Sequence, residues 1–295
     1  MTVIKLIERC SARLSQAGVS FGHGTTNPFD EAAWLVLWRL RLPLDALEEV
    51  ADRAVSAADI AAVETLLDQR ISTRQPAAYL TGEAWLQGVP FTVDARAIVP
   101  RSLIAEPLAN GTLDAWLKPH TRRVLDLCTG NGSLAVLAAL AWPDVAVDAA
   151  DLSADALAVA QVNITRHALG GRISLHSGDG LAAVAGRQYD LILCNPPYVN
   201  NASMAALPAE YRAEPDLALA GGADGMDFIR HLLHAAAAHM ALDAVLVLEI
   251  GNERGHFEHA FPWLDVVWLP TSAGDDQVLL LTRDGLRNTP LTNKL

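Results

Sequence analysis

The chain has 295 residues, 51% apolar and 19% charged, with 22 basic and 34 acidic side chains and a net charge of −12. That is the balance of a globular protein with a sizeable core, and its acidic excess leans away from a nucleic-acid binder and towards a small-molecule or basic-protein partner. Cys10, Cys128 and Cys194 are too far apart for a disulfide framework or a cysteine-rich zinc site, no apolar run reaches the ~18 residues of a membrane span, and Lys5, Glu8, Arg9 and Arg13 interrupt any signal-peptide core, so a reducing cytoplasm is expected.

Up to about residue 120 the pattern reads as mostly helical. Asn27-Pro28, with Asp30 and Glu31 in the first turn, marks a helix start before the apolar run Ala32 to Leu40. Trp34 and Trp38, one turn apart, belong in the core of this part. Ser56 with Asp59 has the form of a capping box, ahead of Ile60, Val63, Leu66, Leu67 and Ile71 at helical spacing. Ala84 to Asp94 holds Gly88-Val89-Pro90 between short apolar runs and reads as a hairpin connector. A further helix is expected over 103–117.

From Arg123 the rhythm becomes strand, helix, strand. Strands are expected at Val124 to Cys128, Val145 to Ala150, Ile173 to His176, Asp190 to Cys194, Ala244 to Ile250, Asp265 to Leu269 and Val278 to Thr282. Helices are expected at Ser133 to Ala141, Ala154 to Leu169 and Asp227 to His239. Apolar strands alternating with helices imply a largely parallel sheet covered on both faces. Only the loop Thr271 to Gln277 separates the last two strands, too short for a parallel crossover, so they pair antiparallel. The expected organisation is an N-terminal helical substrate-recognition domain (1–83), a β-hairpin linker (84–100), an α/β domain (101–285) and a loose tail (286–295), polar after Arg283.

The first strand of the α/β part, Val124 to Cys128, runs into Thr129-Gly130-Asn131-Gly132-Ser133 and then a helix. Ligands bind open α/β sheets at the carboxyl ends of strands, and glycine lets the backbone approach them. Asp151 ends the next strand, where a carboxylate can accept from both hydroxyls of a ribose. The pattern indicates an adenosine cofactor; Gly130, Gly132 and Ala135 also fit a dinucleotide fingerprint. S-adenosylmethionine is favoured because Asp126, inside the strand end, suits a cationic amino group better than a pyrophosphate. A third acid, Asp179 beside Gly180, follows the third strand, where an adenine amine could be read.

The fourth strand of that series ends in Asn195-Pro196-Pro197-Tyr198. Two prolines force the chain out of the sheet there. The Asn195 side-chain oxygen and the Pro196 carbonyl can accept the two in-plane hydrogens of an amide or aryl amine and hold its nitrogen face-on to a methyl donor. Pro197 stiffens the turn, and Tyr198 is expected to cover the substrate plane close to the donor.

From about residue 20 to residue 285 the chain resembles the bacterial HemK-like protein-(glutamine-N5) methyltransferases. The resemblance rests on that tetrapeptide and on Phe21-Gly22-His23-Gly24-Thr25-Thr26, Pro76-Ala77-Ala78-Tyr79-Leu80-Thr81, Glu83-Ala84-Trp85, Val99-Pro100-Arg101-Ser102, Leu207-Pro208-Ala209-Glu210-Tyr211 and Asp224-Gly225-Met226-Asp227. Within the family it looks closest to the branch acting on a glutamine of the basic ribosomal protein uL3, because Pro100-Arg101-Ser102-Leu103-Ile104 stands where the release-factor branch has a Pro-Arg-Pro-Glu-Thr run. The resemblance implies a Rossmann-like class I methyltransferase fold with a seven-stranded mixed sheet, a C-terminal antiparallel hairpin and a small N-terminal helical domain. It implies S-adenosylmethionine held by Asp126, Cys128, Thr129, Gly130, Asn131, Gly132, Asp151, Leu152, Asp179, Gly180 and Asn195, and a target glutamine held by Asn195, Pro196, Pro197 and Tyr198. Asn131, Ser133 and Asn200-Asn201-Ala202 depart from the family's usual residues. The rival readings are release-factor glutamine methylation and amino methylation of a nucleic-acid base, which uses the same tetrapeptide.

The remaining polar candidates stay open or bland. His231, His234 and His239 share a helix without an acid or cysteine at metal-ligand spacing, and His256 and His259 are isolated, so no metal is expected. Arg101 either orients the linker or contacts substrate, and Glu249 ends its strand either at the cofactor rim or paired with a backbone donor. No stable nucleic-acid or membrane partner is expected, and the pattern does not set an oligomeric state.

Overall fold

The structure is a computed structural model that describes residues 1–287. The chain begins with helix α1 (Val3–Gln16), α2 (Pro28–Arg39), α3 (Leu47–Val50), α4 (Ala57–Thr73) and α5 (Ala77–Thr81). Asn27 accepts from the Phe29 and Asp30 amides, with Pro28 at the first helical position. Ser56 accepts the Asp59 amide, but its hydroxyl donates to the Asp59 carboxylate instead of the carboxylate reaching back to the Ser56 amide. Leu6, Leu14, Leu35, Val36 and Leu67 fill the apolar cluster between α1, α2 and α4, against which Trp34 packs half-buried. Arg9 bonds Glu64 at 2.5 Å and Arg13 bonds Asp68, so two ion pairs one turn apart lace α1 to α4.

Strands β1 (Glu83–Leu86) and β2 (Val89–Thr92) form the expected hairpin. Gln87 and Gly88, both with positive φ, make a two-residue turn that matches strand twist. The helix expected over 103–117 is broken. Helix α6 (Ala105–Ala109) stops at Asn110, Gly111 takes φ +78°, and a 3-10 turn follows over Thr112–Trp116, its first amide bonded to the Asn110 side chain.

The main sheet contains β3 (Arg123–Leu127), β4 (Ala146–Asp151), β5 (Ile173–Ser177), β6 (Tyr189–Cys194), β7 (Met240–Glu249), β8 (Val267–Thr271) and β9 (Gly274–Thr282), in the order β5-β4-β3-β6-β7-β9-β8. The first five run parallel and β9 is antiparallel to both β7 and β8. The loop expected at Thr271 to Gln277 shrinks to Ser272-Ala273, because Gly274 to Gln277 already extend β9. Helix α7 (Ser133–Ala141) follows β3. Helix α8 (Ala154–Arg166) ends short of Leu169, since Ala168 turns to φ +56°. Next come α9 (Asn201–Ala206), α10 (Asp227–Ala236, with a 3-10 turn through His239), α11 (Arg254–Ala260) and α12 (Arg283–Arg287). Helix α12 extends to Arg287, two residues into the expected loose tail, with Leu286 buried against the sheet. Positions 288–295 lie outside the described residues.

Strand alternation sorts the core into two layers. Val124, Leu191, Leu193, Val245 and Val247 face α6, α7 and the hairpin, and Leu125, Ile192, Cys194, Leu246 and Leu248 face α10 and α11. The same alternation points Asp126 and Glu249 into the first layer, at the carboxyl ends of β3 and β7 on either side of β6. Among the described residues no helix is long and apolar enough to cross a membrane.

Candidate active site

β3 and β6 are neighbours, Leu127 opposite Cys194, so the glycine loop and the Asn-Pro-Pro-Tyr turn leave the sheet at one rim. The loop leaves through Cys128, Gly130 and Gly132 at φ 61°, 54° and 81°. Thr129 donates its amide to the Ala150 carbonyl at 3.0 Å, and Gly130 donates its amide to Asp151 Oδ2 at 2.8 Å. Asp126 holds the loop from beneath. Its Oδ2 accepts from the Thr129 hydroxyl at 2.5 Å and the Ala135 amide at 2.9 Å, and its buried Oδ1 has no partner among the described residues. Burial pushes this carboxyl up to about 7 against the pull of those donors. At Gly132 a Cβ would lie 3.0 Å from that of Ala160, so glycine is what allows α8 this close. Buried Asn163 on α8 donates to the Asn131 carbonyl at 2.9 Å and exchanges bonds with the Thr92 backbone, tying the loop to the hairpin.

In front of the loop lies a cleft of about 790 Å³, counting its open mouth. Cys128, Gly130, Asp151, Leu152, Asp179, Gly180, Asn195 and Pro197 line it. Asp151 also accepts the Ser153 amide, and burial raises its carboxyl. Leu152 is 52% exposed here, an apolar surface left open beside Phe228. Asp126, Thr129, Asn131 and Gly132 stand behind this lining. Asp126 lies inside the strand end as expected: it is 1% exposed and spends one oxygen on the loop itself.

The Asn195 carboxamide has no hydrogen-bond partner among the described residues and borders the cleft. Pro196 is buried, and after it the chain bonds to a returning segment, Val199 with Leu219 and Gly221. Tyr198 is fastened in place. Added Cβ atoms would lie 2.7 Å from its Cα at Gly221, 2.2 Å from its carbonyl oxygen at Gly225 and 2.4 Å from its ring at Gly251. Its hydroxyl donates to Glu249 Oε1 at 3.1 Å, and burial followed by that carboxylate raises the phenol, keeping it neutral.

Two buried carboxylates grip the stretch before α6. Glu249 Oε2 accepts from the Ser102 hydroxyl at 2.6 Å and the Leu103 amide at 2.9 Å; burial raises its carboxyl. Glu214 takes Arg101 in a bidentate pair at 2.6 and 2.7 Å and the Val99 amide at 2.9 Å, with His23 Nε2 at 3.3 Å. Burial alone would raise Glu214, but His23 and Arg101 hold it at about 2. Arg101 thus orients the linker and also lies over the Tyr211 ring, 5.5 Å from its centroid. Glu210, close by, meets Arg70, Arg74 and the Ser20 amide, so this segment bolts the N-terminal helices to the cleft, whose wall includes Pro215, Leu217 and Ala218. Sequence reading singled out neither Glu210 nor Glu214 as a site residue, and it missed Arg96, Ile98, Leu217 and Phe228 in the lining. Their only signal was membership of family motifs or position beside them.

The Methyltransferase small domain family matches residues 109–210. The ribosomal protein uL3 glutamine methyltransferase of Bordetella pertussis is 53% identical over 97% of this chain and 96% of its own length. Its namesake in Burkholderia pseudomallei is 51% identical over 95% of this chain and 94% of its own. The chain belongs to the uL3 glutamine methyltransferase family. A solved structure of the hMettl16 catalytic domain, 13% identical with a TM-score of 0.51 over 77% of this chain and 81% of its own, shares the fold. The sheet is accordingly that of a class I methyltransferase. The protein is a methyltransferase, and S-adenosylmethionine is its methyl donor. The residues present suit that donor. The cleft offers the Asp151 and Asp179 carboxylates for hydroxyls and amines and the apolar Leu152 and Phe228 for a flat base, while Asp126 Oδ1 and Asn131 Nδ2 have no partner among the described residues.

Proposed function

We propose that this methyltransferase modifies the side-chain N5 of a glutamine in ribosomal protein uL3. The carrying observation is Asn195: a carboxamide without a hydrogen-bond partner among the described residues, at the cleft rim, next to two prolines. In this reading its oxygen and the Pro196 carbonyl accept the two hydrogens of the target amide, leaving the nitrogen lone pair normal to the plane they define. Pro197 holds the turn and Tyr198 the surface beside it. When bound, S-adenosylmethionine supplies an electrophilic methyl group. Asp151 accepts from its ribose, Asp179 and Gly180 border its base with Leu152, and the loop Cys128 to Gly132 gives the backbone its close approach, with Asp126 as the loop's anchor. The chain needs no general base before transfer, because alkylation itself acidifies the amide nitrogen, which then gives its proton to water; orientation and desolvation of the reacting groups supply the acceleration. The N-terminal helices, joined to the cleft through Glu210 and Glu214, form the receiving side for the protein substrate in the cytoplasm.

The test adds the enzyme and methyl-labelled S-adenosylmethionine to lysate of cells lacking the enzyme. Label on a glutamine of uL3 is the expected result. Label on a release factor or on RNA instead overturns the reading.

A further inference from the structure

We propose that Glu249 is a positioning residue for methyl transfer that acts through Tyr198; this rests on the methyltransferase reading above. Glu249 is not among the residues that line the cleft, so its route to the reacting groups runs through a neighbour. It sits at the end of β7, 3% exposed, on the sheet face occupied by Val245 and Val247. A carboxylate there is costly unless donors surround it, and an aliphatic side chain would fill the layer without that cost. The donors are specific. Oε2 accepts from the Ser102 hydroxyl and the Leu103 amide, and Oε1 accepts from the Tyr198 hydroxyl. One side chain thereby joins the turn that carries Asn195 to the stretch that follows the cleft wall at Arg96 to Ile98.

Tyr198 is closed in from its other sides by the missing side chains of Gly221, Gly225 and Gly251. Its ring packs close against Gly251, and among the described residues the hydrogen-bond partner of its hydroxyl is Glu249. The glycines fix where the residue sits, and the carboxylate fixes how far the ring turns. Released from Glu249, the ring swings, and the turn three residues upstream loses its support. A misplacement near 1 Å at a reacting amide slows transfer by roughly two orders of magnitude.

The experiment measures single-turnover methyl transfer per bound cofactor, with cofactor titration counting the competent sites. Glu249→Ala should slow transfer by about 10- to 100-fold while the cofactor Kd stays within about threefold. Glu249→Gln should recover most of the rate, because its oxygen still accepts from Leu103 and Ser102 and its amide can face the Tyr198 oxygen. Tyr198→Phe should be slowed, and the double variant should be no slower than Glu249→Ala alone. Losses that multiply, or a Glu249→Ala rate per site equal to wild type, overturn the proposal. So does Gln failing to rescue, which would reduce Glu249 to a buried charge. The variants are assayed on whichever protein the wild-type enzyme labels. Loss of uL3 as substrate then overturns the substrate reading, and the ratios between variants still decide on Glu249.

Discussion

The ends of β3 and β6 lie side by side, yet they are built in opposite ways. After β3 the chain turns on residues with positive φ and is fastened from below by near neighbours: Asp126 reaches Thr129 and Ala135, and Asp151 reaches Gly130. After β6 it turns on prolines and is fastened from afar: Tyr198 to Glu249, and Glu249 to Leu103 across 146 residues. In the proposed reading, a loop that wraps a small molecule is specified locally, and a rim that orients a protein's side chain is set by the packing of the whole domain.

The strongest test of this contrast is Asn195→Ala. It removes the free carboxamide and should lower turnover by about 10²-fold or more, the scale of losing one preorganised polar group, with little change in cofactor affinity. Single-turnover rates beside calorimetric cofactor titration would show the split; a parallel loss of affinity would merge the two halves. Asp151→Ala should do the reverse, weakening cofactor binding by ~10–100-fold through lost charge-assisted hydrogen bonds, with a smaller effect on the transfer step at saturation. Unchanged cofactor affinity in calorimetry would remove Asp151 from the cofactor half.

A smaller effect concerns approach. The acidic enzyme should meet a basic ribosomal protein with an association rate that falls roughly two- to tenfold as salt rises, whereas cofactor binding should barely respond. Stopped-flow mixing at several ionic strengths reads both; a salt-independent rate with uL3 would leave the surface charge as a solubility feature. The mildest prediction is for Asp126. Its carboxyl, ordinarily at 3.8, is raised to about 7 in the fold, so the native state binds the extra proton between those values. Stability should therefore fall as pH rises from about 4 to about 7 on its account. Asp126→Asn keeps the acceptor for Thr129 and Ala135, removes the titration, and should gain on wild type across that range. Urea unfolding of the cofactor-free proteins at successive pH values would show it, and parallel curves would contradict it.

The local half was legible in the sequence. Asn27 and Ser56 announced their helices by cap chemistry, the glycines marked the loop, and runs of apolar residues marked the parallel strands. Where reading failed, a distant partner or a single residue decided the outcome. The helix expected over 103–117 broke at Asn110-Gly111, and Gly274 to Gln277 joined a strand because β8 was there to receive them. Leu286 found a pocket that nothing in the polar tail suggested. In the site, Tyr198 and Glu249 were each visible, but not that they touch. Asn163 looked like any helical asparagine, since its partners Thr92 and Asn131 lie 71 and 32 residues away. Glu214 gave no sign of its link to Val99, 115 residues back.

The bolt at Glu210 also carries a sense of time. Arg70 is wholly buried against Glu31 and Glu210, and 140 residues separate it from the second of these. A ribosome adding ~5–20 residues per second needs roughly 7–28 s to make that stretch. During synthesis the N-terminal helices can gather their own leucines, and Arg70 can lean on Glu31, but the seam at Ser20 stays open until the segment after the Asn-Pro-Pro-Tyr turn has been made. The N-terminal helices are thus made well before the segment that closes their seam.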